Sequence, residues 1–165
     1  MLTRKTAFFI PALALALFTS AALATAQNSQ PCFTLASLKG SFALVGTYGS
    51  NDAIALGKRT VDGEGNFTGT FLVNKPTAGS TTGDRTIVTG TQAGTITVNC
   101  DGTGVITRIL TVSGVQTTQT DDFVITGARV DDGELIATTI ADAQRTPSTI
   151  VAGGIFLKRT WTRVP

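Results

Sequence analysis

Apolar and polar positions alternate along most of this chain with a period of two, and a helical period is almost absent. Thr, Val, Ile and Gly crowd into extended runs separated by turn residues, the signature of an all-β sandwich or barrel. Eight strands are expected, at about 41–48, 53–61, 66–74, 85–99, 104–112, 121–130, 134–140 and 149–161. The fourth contains Gly90 and Gly94, where a hairpin would break it. Its alternation keeps phase across both glycines: Val88, Gly90, Gly94, Ile96 and Val98 share one face, while Thr89, Thr91, Thr95, Thr97 and Asn99 share the other. One bent strand is therefore expected, because a turn would not have to preserve that phase.

The connections fall into two groups. DGEG follows strand two, CDGTG follows strand four and DDG follows strand six. Asp-Gly suits tight hairpins, where both central residues adopt positive φ. GSND, KPTAGSTTGD, SGVQTTQT and ADAQRTPS are longer. Alternate turns of an up-and-down meander lie at the same end, so the Asp-Gly turns mark one end and the longer loops the other. The expected fold is all-β, an eight-stranded antiparallel up-and-down barrel, with a β-sandwich as the alternative. Closing the first strand on the last removes exposed sheet edges.

Residues 1–26 stand apart. A basic start with Arg4 and Lys5 leads into AFFIPALALALF and then a small-residue end, Ala24-Thr25-Ala26. That is the layout of a secretory signal peptide. Twelve apolar residues make roughly 18 Å of helix, too short for a hydrocarbon core of about 30 Å. The expected organisation is a signal peptide over 1–26, a segment 27–40 capping the barrel base, and the barrel over 41–165. A secreted or periplasmic location follows, with no membrane insertion after signal cleavage.

Removing those residues changes the charge. Two of the 13 basic residues go with the leader, leaving 11 Lys and Arg against 11 Asp and Glu. A neutral chain without basic runs does not suit a nucleic-acid partner. No histidine is present, which removes the commonest general base and metal ligand. The two cysteines, Cys32 and Cys100, are most simply one disulfide in an exported chain. They meet if residues 33–39 cross the barrel base, with Phe33, Leu35 and Leu38 as the plug.

Three stretches, LKGSFAL (38–44), DGEGNFTG (62–69) and GTITVNCDGTGVIT (94–107), resemble a family of exported, uncharacterised soil-bacterial proteins. The resemblance implies a small barrel similar in shape to lipocalin-like or allene oxide cyclase-like barrels. It brings no known activity and no catalytic residue.

Few residues are candidates for chemistry. Asp62, Glu64 and Asn66 alternate as calcium ligands do, but Phe67 stands where an EF-hand needs glycine and no Glu closes the loop. A turn is the reading, and no metal is expected. Asn66-Phe67-Thr68 is a formal glycosylation sequon that a bacterial host would leave unmodified. Arg108 stands between Ile106 and Leu110, and Arg129 follows Phe123, Ile125 and Gly127 in phase. Each either binds an anionic group inside the barrel or sits at a rim or against a carboxylate, since an unpaired charge on an apolar face is costly. Tyr48 opens the loop end, as a ligand contact or as a cover for the core.

No catalytic triad or nucleophile elbow is present. The expected function is a non-enzymatic exported module that binds a small hydrophobic or anionic molecule or a partner, without cofactor. A cyclase-like barrel enzyme and a purely structural surface protein are the alternatives. An outer-membrane barrel, which needs an apolar band and aromatic girdles, is a weaker fourth.

Overall fold

A computed structural model describes residues 31–49 and 52–165. The signal peptide expected over 1–26 lies outside the described residues. Eight strands follow in chain order: β1 (Gly40–Tyr48), β2 (Ala53–Val61), β3 (Asn66–Pro76), β4 (Arg85–Val98), β5 (Thr103–Val112), β6 (Val115–Asp131), β7 (Glu134–Gln144) and β8 (Leu157–Val164). Each pairs antiparallel with the next, and β1 pairs with β8 from Ser41↔Val164 to Tyr48↔Leu157, closing an up-and-down barrel. β4 is one continuous strand, and Val88, Gly90, Gly94, Ile96 and Val98 do share its inner face.

The turns differ in chemistry. Only Asp132-Gly133 among the Asp-Gly turns has positive φ at both residues (49° and 83°) and so makes a two-residue hairpin. In the other two the aspartate holds the turn through its carboxylate. Asp62 Oδ1 accepts the backbone N–H of Glu64 and Asn66, and Oδ2 accepts Asn66 Nδ2. Asp101 Oδ1 accepts the N–H and hydroxyl of Thr103.

The loop expected over 113–120 is absent. Ser113 and Gly114, at φ 50° and 80°, form a two-residue turn, and β6 begins at Val115. Only two of the four opposite connections, 77–84 and 145–156, are therefore longer than the Asp-Gly turns, because 49–52 has the same four residues as 62–65 and 99–102. The last expected strand also starts late, because Gly153 and Gly154, at φ 95° and 70°, interrupt the run before Leu157.

Both ends are covered. At the base, Cys32 and Cys100 are disulfide-bonded and Phe33 N–H donates to the Cys100 carbonyl. Leu35–Leu38 make one 3-10 turn that puts Leu38, fully buried, against Phe42, Phe67 and Ile96. Arg163 clamps this segment: Nη1 and Nη2 donate to the Lys39 and Ser37 carbonyls, and its guanidinium lies over the Phe42 ring. At the opposite end residues 145–156 fold over the mouth, where Val151 packs with Tyr48, Ala53, Val73 and Leu157.

Among the described residues no helix is long and apolar enough to cross a membrane, which does not bear on spanning by strands. Phe42, Tyr48, Phe67, Phe71, Phe123 and Trp161 all pack in the interior clusters, so these aromatics form no outer girdle.

Candidate functional site

Two apolar layers leave a polar belt between them. Below lie Phe42, Phe67, Ile96, Phe123 and Trp161; above lie Tyr48, Ala55, Val73 and Leu157. Across the middle the inward positions are Arg59 (β2), Gln92 (β4), Arg108 (β5), Gln119 and Asp121 (β6), Asp142 and Gln144 (β7) and Arg159 (β8), all buried. The strand register makes room for them. Each buried arginine stands directly opposite a glycine: Arg59↔Gly69, Arg108↔Gly94 and Arg159↔Gly46. A Cβ at Gly46 would come within 2.5 Å of Arg159 Cγ, and one at Gly94 within 2.9 Å of Arg108 Cα. A side chain at Gly46 would displace that of Arg159, and one at Gly94 would collide with the facing backbone at Thr107 and Arg108.

Asp121 is the hub. Its carboxylate accepts from Arg108 Nε (2.7 Å) and Nη2 (3.1 Å) and from Arg159 Nη2 (2.7 Å). Asp142 accepts from Arg159 Nε at 2.8 Å and from Trp161 Nε1 at 2.6 Å. Burial alone would raise the pKa of Asp121, but the guanidiniums of Arg159 and Arg108 outweigh it and hold the carboxyl below its ordinary range. Burial also pulls Arg159 down, and Asp142 and Asp121 more than reverse that. Arg108 is lowered by burial and by the neighbouring Arg159 charge.

Arg59 is different. Its guanidinium lies between the Phe67 ring (4.3 Å) and the Trp161 ring (4.0 Å), and Nη2 donates to Gln92 Oε1 at 2.6 Å. Nε and Nη1 are enclosed without a partner. Burial, followed by the Arg159 charge, pushes its pKa well below the usual value. A guanidinium nevertheless stays protonated, and two aromatic faces stabilise it by about 2 kcal/mol or more each when desolvated.

Above the belt lies a cavity of about 20 Å³, lined by Tyr48, Phe71, Gln92, Arg108, Arg159 and Ile150 among others. That volume holds about one water-sized group. The belt also holds the cover in place. Gln144 Oε1 accepts Leu157 N–H, Gln144 Nε2 donates to Gln119 Oε1, and Gln119 Nε2 donates to Thr149 Oγ1. Lys75 Nζ donates to the Ile150 carbonyl.

The three residues expected from the sequence separate. Arg108 is inside and paired with a carboxylate, and Tyr48 is buried at the loop end beneath the cover, with its pKa raised chiefly by burial. Both line the cavity. Arg129 does not belong with them. It is exposed on the β6–β7 hairpin at the base end, paired with Asp131, because register shifts around Gly127 end the inward phase before it. Arg59, Gln92, Asp121, Asp142 and Arg159 went unnoticed in the sequence. Period-two phase would have found them: Arg59 shares a face with Ala55 and Val61, Asp121 with Phe123, and Arg159 with Leu157 and Trp161.

Among the described residues no group of three or more potential metal-ligating side chains converges. Searches against family models, curated proteins and solved structures return no match.

Proposed function

We propose that this protein is an exported, non-enzymatic binding or interaction module, built as a rigid barrel whose working end is the covered mouth. The proposal keeps it with the exported soil-bacterial proteins that its turn motifs resemble. The observation that carries it is the cavity beneath residues 145–156, lined by Tyr48, Gln92, Arg108 and Arg159. The belt occupies the lumen where a lipocalin-like carrier would hold a bulky apolar molecule. The ligand is therefore small and polar, or presents a small polar group beneath the cover.

The perturbed acidities argue against the cyclase-like alternative. A general acid or base works best with a pKa near the operating pH. Asp121 is moved down and Tyr48 up, so each is held further from neutrality. The structural alternative gains from the filled lumen, and it gains more if nothing binds.

Native mass spectrometry of protein purified from its own host is the test. A small retained adduct that is lost in an Arg108→Met variant supports the binding reading. A bare mass, together with no change in melting temperature across a panel of small carboxylates and inorganic anions, leaves the structural one.

A further inference from the structure

The polar side chains that line the cavity under the cover are Tyr48, Gln92, Arg108 and Arg159, and no carboxylate lines it. Arg108 and Arg159 spend Nε and Nη2 on Asp121 and Asp142. Gln92 gives Oε1 to Arg59, and this orients its amide because a guanidinium offers no acceptor. Gln92 Nε2 and the Nη1 groups of Arg108 and Arg159 make no hydrogen bond to any described residue. The enclosed, unpartnered side-chain atoms among the described residues are Arg59 Nε and Nη1, so the other three donors each border open space. Gln92, Arg108 and Arg159 all line the same cavity.

The charges do not balance. Arg59, Arg108 and Arg159 are buried against Asp121 and Asp142, three positive charges to two negative. Burying an uncompensated charge is costly. Aromatic contacts with Phe67 and Trp161 lessen the penalty at Arg59 but supply no counter-charge.

We propose that this cavity binds one small monovalent anion, of halide or formate size, through Gln92 Nε2 and Nη1 of Arg108 and Arg159. A water molecule would satisfy the donors but leave the surplus charge; an anion does both. The apolar walls, Phe71, Ile150 and Leu157 among them, restrict it to a compact ion. Lys75, hydrogen-bonded to the Ile150 carbonyl, adds a further positive charge at the cover. This inference rests on reading the covered mouth as the binding end, and it names the ligand class there.

Two measurements test it. Crystals of the native chain soaked in bromide should show an anomalous scattering peak inside the cavity. The melting temperature should rise by roughly a few degrees over a hundredfold increase in chloride, with gluconate holding the ionic strength constant. An Arg59→Met variant removes the surplus charge and should lose most of that dependence. Bromide found only on the surface, with equal melting temperatures in chloride and gluconate, overturns the proposal, and the native-chain diffraction decides this even if the variant does not fold. An organic ligand retained from the host with no bromide in the cavity overturns the anion assignment and leaves the binding reading standing. Bromide in the cavity, with a melting temperature that rises in chloride and no organic ligand retained, supports the anion as the occupant of the covered mouth.

Discussion

Asp121 and Asp122 are neighbours on one strand with opposite environments, and replacing each by asparagine isolates what the interior network contributes. Asp121 has no exposed side-chain surface and accepts three hydrogen bonds from two guanidiniums. In Asp121→Asn the amide Nδ2 faces arginine donors, and three buried positive charges are left against one negative. Breaking a buried ion pair from one side costs about 3–5 kcal/mol. Against a total stability of about 5–15 kcal/mol, this should lower the melting temperature by roughly 10–20 °C for a domain of this size. Asp122 pairs with Arg145 on the outer face, with side chains 56% and 51% exposed, and Asp122→Asn should leave the melting temperature almost unchanged. Circular dichroism melts of both variants are the assay. The pH dependence adds a second readout. The folded pKa of Asp121 is depressed, so its contribution is present above the unfolded value of about 3.9 and is lost as pH falls through the folded value. The native chain should therefore lose stability in acid more steeply than Asp121→Asn. A melting-temperature drop of only a few degrees for Asp121→Asn, equal to that of Asp122→Asn, would show that Asp121 is solvated and the network as described is wrong.

Three further outcomes follow from other parts of the fold. Reducing Cys32–Cys100, 68 residues apart, should cost about 4 kcal/mol in the chain-entropy model and expose the base segment to proteolysis, measurable by melts with and without reductant. Ser113→Asn should raise the melting temperature slightly and Ser113→Val lower it, because Ser113 holds φ 50° in a two-residue turn that favours asparagine. Calcium should leave the melting temperature unchanged, since both Asp62 carboxylate oxygens are occupied by the turn itself.

Much of the barrel was legible from alternation alone. β2 begins and ends where the pattern placed it, and β4 stays whole because its phase survives two glycines. The disulfide followed from the end at which each cysteine falls. Two of the misplaced boundaries share one physical cause, a polar interior. The stretch from Val115 to Thr120 reads as a loop because Gln and Thr dominate it, yet Gln119 points inward and is buried. β7 runs on to Gln144 through Asp142 and Gln144, whose inward side chains have no apolar signature. Arg129 takes the second of its two expected places, at the rim against a carboxylate, because register shifts around Gly127 end the inward phase before it. The site was half legible: Arg108 stood out between Ile106 and Leu110, and the same alternation places Arg159 between Leu157 and Trp161 and Arg59 in phase with Ala55 and Val61. The glycines opposite Arg59 and Arg159, Gly69 and Gly46, were a further overlooked signal.

Nitrogen-15 NMR of the arginine side chains tests most directly whether the lumen is a closed, charged core. Arg59, Arg108 and Arg159 should give Nε–H signals that exchange slowly with water near neutral pH, while exposed Arg129 and Arg145 exchange too fast to observe. Fast exchange at all of them would mean that water fills the barrel, and the closed belt with its ion-sized cavity would have to be abandoned.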